Sequence, residues 1–314
     1  MFINQTILFP FAKTMEWLTQ FPITQHLLEV TKKKVCSALR SGPVPQHVGF
    51  IMDGNRTYAK RKHIELKEGH NAGFESMARI LEVCYDCGVK SATVFAFSIE
   101  NFKRPSYEVQ WLMELAKAKF TQVVGNGEMC EQFGIQIRIL GDLDLLPDDV
   151  RTALLKAEEI TKHNKRAVLN VCWSYTSRHD MTQAIQKTIE QFAKNRIGLN
   201  DIDEDRISAN LYTGPSPPLD LLIRTSGVYR LSDFMLWEAT SERCDIEIVE
   251  ELWPQFNALK MIWLLIKWSF NKTYNSKQIS TPVTSSSFDR IDTDGGGCKK
   301  SLDETKMETI QVKE

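Results

Sequence analysis

Apolar residues recur along this chain in short dense blocks separated by longer stretches of helical period. The blocks are 47–52 (HVGFIM), 91–97 (SATVFAF), 135–140 (IQIRIL), 167–172, 219–223 (LDLLI) and 244–249. Blocks of this kind suit strands buried on both faces. Between them, 69–87, 105–131, 148–163 and 178–195 read as helices; the first closes at Gly88, and Pro105 is acceptable in the first turn of the second. Strand and helix alternate regularly, which predicts an α/β domain with a mostly parallel sheet covered by helices on both sides.

The flanks behave differently. Residues 1–42 form an N-terminal extension with Phe2, Ile7, Leu8, Phe9, Phe11, Trp17, Leu18 and Phe21, followed by Lys32, Lys33 and Lys34. Aromatic residues beside a basic cluster suit an amphipathic helix on an anionic membrane face, with a helix packed on the protein's own surface as the alternative. No segment reaches the roughly 20 apolar residues of a membrane span. Residues 254–272, with Leu259, Met261, Trp263, Leu265, Trp268 and Phe270, are apolar nearly all round and predict a buried or interfacial helix. Residues 273–314 are rich in Ser, Thr, Asp, Lys and Gly and read as a disordered polar tail. The expected division is therefore 1–42, a catalytic domain over 43–272, and 273–314.

Net charge is −1, which argues against a general nucleic-acid binder while leaving room for a local basic pocket. The seven cysteines are scattered, and Cys84 with Cys87 forms a single CxxC without a second pair. They read as small apolar residues on a helix rather than a zinc site, and reduced thiols suit the cytosolic side of a membrane.

Three polar constellations follow strands. Asp53-Gly54-Asn55-Arg56 follows the first. Ligands in α/β folds sit outside the carboxyl ends of strands, and a helix starting near Asn55 would point free N–H groups at an anion. Gly54 permits close backbone approach, Arg56 offers a charge-assisted grip on phosphate, and Asp53 suits Mg2+. Ser98, Asn101, Lys103 and Arg104 follow the second strand, and Arg224, Arg230 and Ser232 follow the strand at 219–223. Each alone is matched by an ordinary loop with solvated charges; three at three strand ends point to a phosphorylated substrate.

HVGFIMDGNR, GHNAGF, AFSIENFKRP and IRTSG…RLSDF…LW…LWP, in that order over about 44–268, resemble the cis-prenyltransferases, in particular catalytic subunits of eukaryotic dehydrodolichyl diphosphate synthases. The resemblance implies a single α/β domain with a six-stranded, mostly parallel sheet. It implies elongation of farnesyl diphosphate with isopentenyl diphosphate into a long polyprenyl diphosphate. Asp53 matches the Mg2+-binding aspartate. Gly54, Asn55, Arg56, His70 and Arg104 match positions around the allylic diphosphate, and Arg224, Arg230 and Ser232 those gripping isopentenyl diphosphate. Ser98 and Asn101 match a polar pair near the departing proton. The resemblance also implies peripheral attachment at the cytosolic face of the endoplasmic reticulum or lipid droplets. An accessory subunit of the Nogo-B-receptor type is expected to supply an Arg-x-Gly that is not found after residue 250.

Two departures matter. Thr57 stands where many relatives have a second basic residue. A hydrogen bond to a charged group contributes about 1.5–3 kcal/mol, so the exchange predicts a raised KM for the allylic substrate. Val228 and Tyr229 replace the bacterial Glu-His pair, leaving Asp53 as the metal carboxylate. For the product tunnel, Phe74, Met77, Leu81, Phe95, Phe97, Leu112 and Leu115 are the candidates. Rival readings are a non-catalytic binding subunit, favoured by Thr57, and a phosphatase with Asp53 as nucleophile, for which a second nearby carboxylate is missing.

Overall fold

The computed structural model describes residues 22–125 and 134–279. Helix α1 (Pro22–Leu39) leads into β1 (His47–Ile51), α2 (Asn55–Lys62), α3 (Leu66–Asp86), β2 (Ser91–Ser98) and, after a 3-10 turn at Ile99–Lys103, α4 (Ser106–Gly125). Then come β3 (Ile135–Leu140), α5 (Asp148–Thr161), β4 (Ala167–Tyr175), α6 (Ser177–Ala193) and α7 (Glu204–Asn210). The chain ends in β5 (Leu221–Arg224), α8 (Leu236–Ala239), β6 (Asp245–Ile248) and α9 (Ala258–Ile279).

The six strands form one sheet in the order β3-β4-β2-β1-β5-β6, and every neighbouring pair is parallel. All five residues of β1 are buried, as a central strand covered on both faces requires. One core joins Val48 and Phe50 of β1 to Ile80 and Cys84 of α3, and Met261 and Leu265 of α9. A second core, built on Ile51, Leu222, Cys172 and Tyr175, packs against Phe234 and Met235.

The expected α/β architecture stands, with differences at the edges. β4 continues through Trp173, Ser174 and Tyr175, and α7 was not anticipated. α1 falls within the segment read as a separate extension, yet it packs on the domain. Lys32 pairs with Glu82 of α3 at 2.7 Å, and the Cys36 thiol lies buried 2.8 Å from that of Cys87. Residues 1–21, which hold the aromatic cluster of the proposed membrane helix, lie outside the described residues. α9 runs on through 273–279, where the polar tail was expected to begin; 280–314 lie outside the described residues. Among the described residues no helix is long and apolar enough to cross a membrane.

α6 is tied to the following segment through Asp180. Its Oδ1 accepts the Tyr212 N–H at 2.9 Å, while Oδ2 is buried without a partner. Burial pushes this carboxyl up to about 7, against the Tyr212 hydrogen bond and with help from the nearby Glu238 carboxylate. Since the folded value exceeds the unfolded one of about 3.9, the stability linked to this proton is complete below that value and is lost as pH rises through about 7. Asp180→Asn, which mimics the neutral acid, is expected to raise Tm relative to wild type more at about pH 8.5 than at about pH 5. Thermal melts at the two pH values check this; an equal difference at both would count against a neutral Asp180.

Candidate active site

The site is built at the carboxyl ends of β1, β2 and β5, which are adjacent in the sheet. Asp53 leaves β1 with its main chain pinned from two sides: its carbonyl accepts the Trp253 N–H at 3.0 Å and the Thr225 hydroxyl at 2.7 Å. Gly54 follows at φ 111°, a left-handed conformation that disfavours side chains. A Cβ there would sit 2.9 Å from Leu252 Cδ2 and 3.0 Å from the Leu252 Cα. As N-cap of α2, Gly54 has no side chain to satisfy the first-turn N–H groups, so they remain for an anion.

Arg224 at the end of β5 is the centre of the polar network. Its side chain is only 2% exposed, against 38% for Asp53. Nη2 donates to Asp53 Oδ2 at 2.7 Å, and Nη1 donates to Ser232 Oγ at 2.8 Å and to the Arg230 carbonyl. Arg230 Nε in turn donates to Ser232 Oγ at 3.3 Å. One guanidinium thus joins the loop after β1 to the loop after β5, and only its buried Nε is without a partner. The planar fork suits this task as a lysine could not, because the acceptors lie in separate directions.

On the other side, Ser98 and Asn101 cap the 3-10 turn reciprocally. Ser98 Oγ accepts the Glu100 N–H at 3.2 Å, and Asn101 Oδ1 accepts the Ser98 N–H at 3.1 Å. This fixes the Asn101 carboxamide and leaves its NH2 unused by the cap. Arg104 is held by Glu108 at 3.0 Å. Burial is the main cause lowering its pKa, which the Glu108 charge opposes. His70, on α3, stacks obliquely on Trp111 with ring centroids 5.7 Å apart, and its Nε2 is buried without a partner. Burial, reinforced by the positive charges of Arg104 and Arg56, depresses it to about 4, so the ring is neutral near pH 7.

Asp53, Asn55, Arg56, His70, Ser98, Asn101, Arg104, Arg224, Arg230 and Ser232 all line one cavity of about 720 Å³; Gly54 is buried and does not line it. Away from these groups the wall is apolar: Phe74 and Met77 of α3, Phe95 of β2, Leu112, Leu115, Ala116 and Phe120 of α4, and Leu169, Val171 and Trp173 of β4. Leu81 and Phe97, expected in the tunnel, are instead buried in the core. Thr57 is exposed on α2 and does not line the cavity, whereas its neighbour Arg56 does, so its hydroxyl supplies no contact there and does not stand in for a basic side chain. Val228 and Tyr229 are also outside the lining. Asp233, which no sequence pattern singles out, lines it.

Three carboxylates among the described residues line the cavity, and two of them are taken up by partners: Glu100 pairs with Lys103 and Asp233 with Arg178. Among the described residues no cluster of three or more His, Cys, Asp or Glu side chains exists. A half-exposed carboxylate on a cavity wall beside arginines fits a hard divalent ion that takes one protein oxygen and completes its shell with substrate phosphate and water.

Comparison with known proteins agrees with this geometry. The Prenyltransf family, described as "Putative undecaprenyl diphosphate synthase", matches residues 51–275. A dehydrodolichyl diphosphate synthase complex subunit from Schizosaccharomyces pombe is 46% identical over 80% of this chain and 95% of that protein. The human counterpart is 40% identical over 81% of this chain and 76% of its own length. The crystal structure of lavandulyl diphosphate synthase from Lavandula x intermedia, in complex with dimethylallyl diphosphate, superposes with TM-score 0.67 at 29% identity, covering 72% of this chain and 95% of that one. A matched family spanning most of the chain, relatives this similar, and a shared parallel sheet with its polar site at the strand ends lead to one conclusion: the chain belongs to the cis-prenyltransferases, the family of undecaprenyl and dehydrodolichyl diphosphate synthases.

Proposed function

We propose that this chain elongates farnesyl diphosphate with isopentenyl diphosphate to a long polyprenyl, dehydrodolichyl-type diphosphate that feeds dolichol synthesis and protein glycosylation. The observation that carries this reading is a single cavity with two arginine-bearing polar groups at its mouth and an apolar remainder. Arg56, Arg104 and the N-terminus of α2 hold the allylic diphosphate, with neutral His70 beside it. Arg224, Arg230 and Ser232 hold isopentenyl diphosphate. The isopentenyl double bond attacks the allylic carbon, a C–C bond forms, and the C–O bond to the departing diphosphate breaks. A proton is then lost from the isopentenyl unit next to the Asn101 and Ser98 pair. Arg56, Arg104 and the free N–H groups stabilise the charge that develops on the leaving diphosphate. Mg2+ bound through Asp53 would add Lewis-acid neutralisation of phosphate oxygens.

The relatives named as complex subunits support a heteromeric enzyme, and the resemblance suggests a partner of the Nogo-B-receptor type donating an Arg-x-Gly. α9 offers a surface for it. Leu259, Trp263, Ile266, Phe270 and Tyr274 are exposed on one side, while Met261, Leu264, Leu265 and Trp268 are buried. Peripheral attachment to the endoplasmic reticulum or lipid droplets, with residues 1–21 as the lipid contact, completes the proposal.

The test is incorporation of labelled isopentenyl diphosphate into polyprenyl product with farnesyl diphosphate and Mg2+, for the chain alone and with an accessory subunit. Product only with the partner is expected. Full activity alone would remove the partner requirement, and none in either arm would remove the catalytic assignment. Product length provides a second check. Leu115→Trp on the half-buried cavity wall is expected to shorten the chains made, whereas Leu81→Phe in the core lowers Tm and leaves length unchanged. Unaltered length with Leu115→Trp would take α4 out of the tunnel.

A further inference from the structure

The loop after β5 presents Arg230 and Ser232 in a backbone conformation that its own sequence resists. Ser226, Ser232, Asp233 and Met235 all have positive φ, at 80°, 52°, 61° and 47°. Non-glycine residues hold such angles only where their surroundings impose them. Ser226 is held by its N–H donating to the Glu251 carbonyl at 2.8 Å, whereas at Asp233 the restraint comes from α6, a different βα unit. The Asp233 carbonyl accepts the Ser177 N–H at 2.7 Å, and Asp233 Oδ1 accepts the Arg178 N–H at 3.1 Å. Asp233 Oδ2 accepts from Arg178 Nε at 2.7 Å, and Ser177 Oγ accepts the Leu236 N–H at 2.9 Å. Two first-turn N–H groups of α6 are therefore capped by a residue 55 positions away. The Asp233 side chain is 12% exposed and that of Arg178 72%. The Arg178 charge also acts on Glu100, which lines the cavity beside Ser98 and Asn101.

We infer that Arg178 and Asp233 are a positioning pair that sets Ser232 and Arg230 in the geometry that grips the isopentenyl diphosphate. Neither touches substrate in this role; they act through the loop. The inference rests on the reading that Arg230 and Ser232 hold that diphosphate. The pair also joins a fourth βα unit, the β4–α6 junction, to the loop after β5.

The experiment measures KM for isopentenyl diphosphate and for farnesyl diphosphate separately, in the enzyme with its partner subunit. The variants are Arg178→Gln, Asp233→Ala, Asp233→Asn and, as a control on the reading itself, Ser232→Ala. Losing a charge-assisted hydrogen bond corresponds to about a 10- to 100-fold rise, here in the isopentenyl diphosphate KM alone. Asp233→Ala should show the larger rise. Asp233→Asn, which keeps an acceptor for the Arg178 N–H, should recover part of it. Arg178→Gln alters an exposed side chain and keeps the test valid if Asp233→Ala does not fold. A Ser232→Ala effect without an Arg178→Gln effect overturns the positioning pair. No effect of Ser232→Ala overturns the substrate assignment instead. Equal rises in both KM values would mark a general structural defect and also overturn the inference.

Discussion

Asp53→Ala is expected to abolish turnover, by about 10²–10³-fold or more, and to lower Tm as well. The first effect follows from the proposed role of this cavity-lining carboxylate in holding the divalent ion. The second follows from an asymmetry of burial. Arg224 is almost wholly buried while Asp53 is about one-third exposed, so removing the aspartate strands a positive charge that water cannot reach. Asp53→Asn separates the two effects. Its side-chain oxygen can still accept from Arg224 Nη2, so Tm should recover largely while turnover stays low. Product formation and thermal melts on the two variants provide the readout. An active Asp53→Ala enzyme would end the assignment of this residue to the metal.

Removing the other partner has a different signature. Arg224→Met should raise the isopentenyl diphosphate KM and cut kcat/KM by about 100-fold or more, since it takes away a charge-assisted donor and frees the loop that carries Arg230 and Ser232. Asp53 is exposed enough to rehydrate, so the stability loss should reflect mainly the Ser232 and Arg230 acceptors, at about 1–3 kcal/mol. Arg224→Lys should rescue little, because one ammonium cannot span acceptors on two loops. A wild-type KM in Arg224→Met would place isopentenyl diphosphate elsewhere.

Much of this arrangement was legible in the sequence. The strand blocks were dense enough to show a buried parallel sheet, and the polar residues that follow three of them fall at one cavity because β1, β2 and β5 are neighbours. That adjacency itself was not legible, since periodicity does not order strands. The tunnel candidates divided according to facing. Phe74 and Met77 line the cavity, while Leu81 on the same helix turns into the core. A helical pattern shows that positions are apolar without showing which neighbour they meet. Thr57 is exposed on α2 and ends short of the cavity that its neighbour Arg56 lines. Asp233 was hidden because its partner Arg178 is distant in sequence, and because Ser232, Asp233 and Met235 take left-handed backbone without a glycine to mark it. The docking of α1 through Lys32 and Cys36 was hidden for the same reason.

The order of strands in the sheet has a consequence for how the protein comes into being. Strands are laid down on one side of β1 first, through β2, β3 and β4, and only then on the other, through β5 and β6. A nascent chain emerging from the ribosome can build most of the apolar tunnel and the Arg56–Arg104 side before Arg224 is synthesised. Asp53 meets its partner 171 residues later. Until then the exposed edge of β1 is an unpaired strand, open to wrong pairing. A chain stopped short of β5 would thus be an adhesive half-sheet with a greasy channel, a natural client for chaperones rather than a small working enzyme.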